Sequence, residues 1–227
     1  ETSPTPSSNS WQSIITSRSC TGGCRGYMMY IRPKHVVATA SRLEYWHATT
    51  DDTNWVKIES TERSAWKRTG TAAWEFNVIR FNGTDEIDFF LNGSHVGNNS
   101  STVSMNNQNT NKPARIGAGR TEGAVLYFFK GKIDDVAIWD EALTNAEITE
   151  LYNNGESLYA KENYGNYTSK DNLTAYYTMD SDNETGTTLS ESPEIIKVFI
   201  PKSLSPSNLS INSHSTPISI NSLIALR

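Results

Sequence analysis

Residues 131–155, GKIDDVAIWDEALTNAEITELYNNG, constrain the fold more than any other stretch, because they encode a strand, a corner and one short helix in succession. Thr144, with Glu147 three residues later, forms a capping box. We therefore predict Thr144 as the N-cap of a helix that begins at residue 145. Ile148 and Leu151 then share one face of that helix and are predicted to be buried.

The strand before this helix contains an irregularity in its alternation. Val136 and Ile138 are two residues apart and share one strand face, whereas Ile133 has the wrong parity to join them. A bulge near Asp134 and Asp135 would absorb one residue and return Ile133 to the same face. We therefore predict a bulge at this point.

The rest of the chain is rich in short segments with β-branched and aromatic residues, separated by turn residues. The dipeptides Asn82-Gly83 and Asn92-Gly93 between such segments are strong signals of tight hairpins. These patterns predict an all-β fold, a two-sheet antiparallel jelly-roll sandwich with one short C-terminal helix. The predicted strands are residues 11–16, 27–31, 42–47, 55–59, 74–81, 86–91, 94–97, 114–117, 125–129 and 172–180.

The motif order in residues 138–155 is Ile-Trp-Asp, Ala-Leu-Thr, Glu-Ile, Leu-Tyr and Asn-Gly. This order resembles the C-terminal signature of laminin G-like and pentraxin-like domains of the concanavalin A-like lectin/glucanase superfamily. The resemblance covers residues 11–189 and implies the same sandwich. The strands that precede this region in the family have no counterpart here, so the resemblance also implies an N-terminally truncated sandwich.

Composition divides the chain into three parts. Residues 1–10 are rich in Pro, Ser and Thr and are predicted to be a flexible linker. Residues 11–190 form the sandwich domain. Residues 191–227 shift to Ser, Pro, Asn and isolated aliphatic residues, which predicts a low-complexity tail outside the core. We expect other domains of a longer parent chain to flank this module.

The overall charge excludes some partners. The formal net charge is −5 and no run of Lys or Arg occurs, so a nucleic-acid partner is not expected. No stretch reaches the roughly 18 apolar residues that a transmembrane helix requires, so membrane insertion is not expected either.

One segment resembles a catalytic motif. Glu86-Ile87-Asp88-Phe89 is similar to the motif of laminarinase-type glycoside hydrolases, in which a second Glu follows the Asp by two or three residues. Here those two positions are Phe and Leu. Because retaining hydrolysis needs two carboxyl groups, we predict no catalytic residues, and we interpret Glu86 and Asp88 as solvent-side residues of a half-buried strand.

No cofactor is predicted. The resemblance leaves calcium open, because pentraxins bind it. However, the acidic residues of this chain do not follow the spacing of a self-contained calcium loop, so no metal site is recognisable.

Cys20 and Cys24 flank two glycines in a turn between two predicted strands. We predict that they form a small disulfide loop. Two unpaired thiols remain an alternative, and a zinc site is a weaker one because only two sulfur ligands are present.

A candidate ligand site lies on two neighbouring strands. Alternation places Trp46, Trp55 and Lys57 on the face opposite the core, beside a loop that contains Asp51 and Asp52. Sugars stack on flat aromatic rings, while charged groups bond their hydroxyls, so we predict that any glycan site includes these residues. The alternative is that the two tryptophans only stabilise the sheet as a cross-strand pair.

The resemblance implies a noncatalytic extracellular or cell-surface recognition module, with a glycan or an extracellular protein as its ligand. One alternative is a structural or adhesive spacer without a small ligand. A diverged glycoside hydrolase is another. Several Asn-x-Ser/Thr sequons favour a secreted setting only mildly, because a chain this rich in Asn and Ser contains them by chance.

Overall fold

The structure is a computed structural model. It describes residues 11–20, 24–33, 41–49, 55–61, 74–81, 86–100, 114–121, 124–129, 131–178, 188–189, 210–211 and 222–225.

Two antiparallel sheets account for most of the described strands. The five-stranded sheet has the order β4-β3-β2-β1-β8, with β1 at Gln12–Ser19, β2 at Arg25–Pro33, β3 at Ser41–Ala48, β4 at Trp55–Glu59 and β8 at Arg115–Ile116. The six-stranded sheet has the order β12-β11-β15-β5-β6-β7, with β5 at Asn77–Phe81, β6 at Glu86–Leu91, β7 at Ser94–Ser100, β11 at Val136–Trp139, β12 at Leu173–Tyr177 and β15 at Ser222–Ala225. β9 (Gly119–Thr121) pairs antiparallel with β10 (Ala124–Leu126), and β13 (Thr188–Leu189) pairs in parallel with β14 (Ser210–Ile211).

The main core lies between these two sheets. Alternation sends Leu43 and Tyr45 of β3 inward, and they belong to the same buried cluster as Ile87 and Phe89 of β6. Burial of these side chains supplies most of the driving force for packing one sheet on the other. The predicted fold, an antiparallel sandwich with one short α-helix in the described part of the chain, is confirmed.

A second core lies between the six-stranded sheet and the helix α1, Asn145–Tyr152. Ile148 and Leu151 pack there and are 0% and 2% exposed. The N-cap is Thr144, and both hydrogen bonds of the capping box with Glu147 are present. Helix start, cap and buried face therefore all agree with the sequence prediction.

At the position of the predicted bulge, before β11, one residue with a left-handed backbone conformation shifts the alternation as a bulge would. Asp135 has φ 49°, and its backbone N–H donates to Asp134 Oδ1 at 3.2 Å. This local turn allows Ile133 to reach the same core cluster as Val136 and Ile138. One residue is therefore absorbed just before β11 begins, as the parity of Ile133 predicted.

The Asn92-Gly93 hairpin is confirmed between β6 and β7. Both residues have positive φ, 50° and 73°. A Cβ atom at Gly93 would lie 2.9 Å from Cδ1 of Tyr152, so glycine is needed here for space as well as for conformation. The other predicted hairpin, Asn82-Gly83, lies outside the described residues.

The prediction that residues 191–227 form a tail outside the core is wrong for residues 222–225. This segment, β15, pairs with β5 on one side and with β11 on the other. Composition misled here because sheet pairing uses backbone groups, which any short extended segment can offer to two strands that need partners.

Replacing Thr144 by alanine tests the helix cap. The change removes the side-chain acceptor for Glu147 N and should destabilise the protein by about 1 kcal/mol in urea unfolding. A Thr144→Ser variant keeps the hydroxyl and serves as the control. If the alanine and serine variants unfold at the same urea concentration, the cap contributes nothing.

Candidate ligand-binding face

The side of the five-stranded sheet that points away from the core carries most of its charged and aromatic side chains. We call it the outer face. It consists of Trp11, Arg18, Met28, Tyr30, Arg32, Arg42, Glu44, Trp46, Trp55, Lys57 and Glu59. Strand register places these residues in rows, with Glu44 beside Glu59 and Trp46 beside Lys57 on the neighbouring strands β3 and β4.

Glu44 lies at the centre of the outer face and is completely buried. Its Oε2 atom accepts hydrogen bonds from Trp11 Nε1 at 2.8 Å and from Trp46 Nε1 at 3.0 Å. Its Oε1 atom accepts one from Arg32 Nη1 at 3.4 Å. A buried carboxylate with these donors fixes the orientation of both indole rings.

Glu59 is more open and gathers the cations around it. Its Oε1 atom lies 2.6 Å from Lys57 Nζ and 3.6 Å from Arg32 Nη1. Its Oε2 atom lies 3.0 Å from Arg42 Nη1. Partial burial alone would raise the pKa of Glu59, but side-chain hydrogen bonds with Lys57 and Glu44 and the charges of Lys57 and Arg42 outweigh it and lower the pKa. Glu59 is therefore ionised at neutral pH.

Each tryptophan of the outer face is covered by one cation. The pairs are Lys57 over Trp46 at 5.9 Å, Arg32 over Trp11 at 5.3 Å and Arg18 over Trp55 at 4.9 Å, measured to the ring centroids. Such contacts hold the cation against the negative face of the ring. The outer face of the sheet is thus an ordered array of aromatic rings and positive charges.

The pair of Arg18 and Trp55 spans the sheet from β1 to β4. Register places Ala48 and Gly26 on the two strands between them. Because both intervening residues have little or no side chain, the guanidinium reaches the indole across them. Small residues at these two positions leave the path between Arg18 and Trp55 open.

The two cysteines lie at the same end of the outer face. Cys20 and Cys24 form a disulfide, with an S–S distance of 2.08 Å, and Trp55 Nε1 donates to Cys20 Sγ at 3.1 Å. We expect alkylation of the oxidised protein without a reductant to leave both cysteines unlabelled in mass spectrometry. Two labelled thiols would show that the loop is open, whereas labelling after reduction is the positive control.

The structure brings three of the predicted site residues together and leaves two outside its description. Trp46, Trp55 and Lys57 all lie on the outer face, as alternation predicted. Trp46 and Trp55 are diagonal rather than direct neighbours, because Trp46 pairs with Lys57 in the register. Asp51 and Asp52 lie outside the described residues.

The sequence-based site did not include the residues that β1 and β2 contribute. Trp11, Arg18 and Arg32 come from this part of the chain, and their contacts to β3 and β4 are long-range. The alternation that places Trp46 on the outer face also places Arg42 and Glu44 there. The sequence does not show that β2 pairs with β3. This pairing joins the residues from β1 and β2 to those from β3 and β4 in one outer face.

The glycosidase-like segment lies on the other sheet. Asp88 lies on the side of this sheet that faces the helix and is 5% exposed. Its Oδ2 atom lies 2.8 Å from Arg80 Nη2, and its Oδ1 atom lies 2.9 Å from His95 Nε2. Arg80 also donates to the carbonyl of Leu143 at 2.8 Å, just before the helix. The interpretation of Asp88 as a solvent-side residue is wrong, because it anchors the helix through Arg80.

Within the described ranges, no three His, Cys, Asp or Glu side chains come together in a way that could hold a metal ion. In the same part of the chain, no helix has both the length and the hydropathy needed to cross a membrane.

A laminin G-like family model, described as the concanavalin A-like lectin/glucanase superfamily, matches residues 3–149. The chain belongs to the concanavalin A-like lectin/glucanase superfamily. Laminin G-like domains of this superfamily are typically extracellular and commonly bind carbohydrate or other ligands, while other members are glycoside hydrolases. Comparisons with curated proteins and with solved structures found no significant match.

Proposed function

We propose that this superfamily member is a noncatalytic extracellular recognition module that binds carbohydrate on its outer face. The observation that carries the proposal is the fixed arrangement of Trp11, Trp46 and Trp55 on one sheet face, interleaved with charged groups. Aromatic rings offer an apolar platform for the C–H faces of sugars, and charged side chains bond the surrounding hydroxyls.

The two carboxylates of the outer face do not support hydrolysis. Glu44 and Glu59 are cross-strand neighbours, and a pair of carboxyl groups is what a retaining hydrolase requires. However, Glu44 is completely buried and engaged by two indole N–H groups and a guanidinium. Glu59 has a lowered pKa, so it is ionised and lacks the proton that a leaving group would need.

Binding to a glycan array, followed by titration of the best oligosaccharide, tests the proposal. Trp46→Ala should weaken binding about tenfold or more, because it removes one stacking surface. Trp74→Ala is the matched control, since Trp74 is 49% exposed and lies outside the outer face. Circular dichroism of each variant verifies the fold. Unchanged affinity in a folded Trp46→Ala variant would refute this site.

A spacer without a small ligand is the competing function, and it predicts no binding to any glycan on the array. A diverged hydrolase instead predicts release of reducing ends from the bound oligosaccharide. We expect binding without release. Turnover that disappears in Glu59→Gln would overturn the noncatalytic assignment.

A further inference from the structure

We propose that β15 is exchanged between two copies of this chain, so that residues 222–225 of one copy pair with β5 and β11 of the other. We call the gap between β5 and β11 that receives this strand the slot. The partner is therefore a second copy of the chain, which adds an extended segment to the sheet. This association is independent of the proposed carbohydrate function.

The first argument is that the walls of the slot belong to the two cores of the protein. In the register, Leu223 stands between two residues of the main core, and Ile224 stands between two residues of the second core. The four wall residues, each at most 2% exposed, are Val78, Ile79, Ala137 and Ile138. An empty slot would expose these residues and the unpaired backbone groups of β5 and β11 to water. The slot therefore needs a strand, whichever copy supplies it.

The second argument is the long connection between β15 and the rest of its sheet. β5, β6 and β7 follow one another through short turns, whereas residues 178–221 separate β12 from β15. Even with β13 paired to β14, the stretches 178–187 and 212–221 each span up to about 35 Å, at about 3.5 Å per residue. The radius of gyration of a folded chain of this size is about 17 Å. The connection is therefore long enough to reach the slot of a neighbouring copy.

The third argument is that both arrangements contain the same contacts. Ser222–Ala225 pairs with the same residues in the slot of its own chain and in the slot of a partner, so exchange loses no hydrogen bond of the sheet. Only the tether distinguishes the two arrangements, and a connection of this length holds the strand at an effective concentration of about 1 mM. The self-contained form therefore predominates in dilute solution, and exchange competes when chains fold at a similar concentration.

The position of β15 inside the sheet makes an exchanged dimer persistent. β15 has a partner strand on each side, so it leaves the slot only when the six-stranded sheet opens. Opening of the central strands of a sheet requires a large part of the global unfolding free energy. Exchange is therefore established during folding and is retained when the protein is diluted.

Refolding two cysteine variants of the full chain together tests the exchange. One chain carries Ala137→Cys and the other Ile224→Cys, so a disulfide between positions 137 and 224 joins two copies only where β15 has been exchanged. Val78→Cys with Ile224→Cys is a second pair, which tests the neighbour of position 224 on the other side. Unfolding in urea without a reductant keeps Cys20 and Cys24 joined.

We expect the covalent heterodimer to increase at least tenfold when the concentration during refolding rises from about 10 µM to about 1 mM. Mass spectrometry identifies the linked peptides. Ala175→Cys with Ile224→Cys is the matched control, because Ala175 is also buried but lies on β12, which does not pair with β15. This control should give no heterodimer, and as much heterodimer as in the test pair would show that the linkage is non-specific.

A single chain with both Ala137→Cys and Ile224→Cys shows whether β15 occupies the slot at all. Refolded in dilute solution, it should form the bond within one chain. That bond without any heterodimer at high concentration would refute the exchange, and the absence of both bonds would show that residues 222–225 do not fill the slot.

The wild-type chain provides a measurement that does not depend on the variants. After refolding at about 1 mM, light scattering should detect a dimer that persists on dilution. A wild-type protein that is entirely monomeric after this treatment would contradict the proposal.

Discussion

Replacing Trp139 by alanine is expected to destabilise the protein by about 3 to 5 kcal/mol, a large fraction of the stability of a domain this size. Trp139 is 0% exposed and fills the core between the six-stranded sheet and the helix. Its Nε1 donates to Tyr167 Oη at 3.0 Å, and that hydroxyl donates to the carbonyl of Ala160 at 2.7 Å. The variant therefore loses both apolar contacts and the anchor of the loop after the helix.

Urea unfolding of the wild type and of the Trp139→Ala variant measures this loss of stability. Trp74→Ala is the control, because a tryptophan that is 49% exposed should cost little. Tyr167→Phe separates the two contributions, since it removes the hydroxyl but keeps the ring, and should cost about 1 kcal/mol. Equal stability of the Trp139 and Trp74 variants would mean that the helix is not the organising element of this region.

Replacing Glu44 by alanine is expected to cost about 3 kcal/mol, although no apolar core is disturbed. The change leaves the indole N–H groups of Trp11 and Trp46 without their acceptor and leaves Arg32 without one of its carboxylates. Glu44→Gln keeps an acceptor oxygen and should cost less. In urea unfolding we expect the stability to decrease from the wild type to Glu44→Gln and further to Glu44→Ala.

The same variants distinguish a structural carboxylate from a ligand-binding one. Glu59→Gln, at the partly exposed neighbour of Glu44, should cost less than about 1 kcal/mol because its ion pairs are solvated. If Glu44→Ala proves as mild as Glu59→Gln, then Glu44 does not organise the outer face. Its role would have to be sought in binding instead.

The elements that sequence predicted well depend on neighbouring residues. The capping box of Thr144 and the left-handed turn at Asn92-Gly93 are decided by a few consecutive residues. Alternation likewise placed Trp46 and Trp55 on the outer face. These features are visible in sequence because a helix cap, a tight turn and a strand face each have a fixed local spacing.

The elements that sequence missed depend on distant partners. Residues 222–225 complete a sheet whose other strands all end at or before Tyr177, and their composition gives no sign of it. Asp88 is buried because Arg80 links it to the helix region, which is remote in the chain. The cation array on the outer face also needs the pairing of β2 with β3, which local spacing does not determine.

The contact between Trp55 and the disulfide gives this protein an internal optical reporter. Disulfides quench indole emission over short distances, and Trp55 Nε1 lies 3.1 Å from Cys20 Sγ. Emission from Trp55 should therefore be weak in the oxidised protein and should brighten when the disulfide is reduced or when a ligand draws the ring away. Each of the other tryptophans on the outer face has no such quencher among the described contacts, so a change in brightness at constant fold can be assigned to one end of the face.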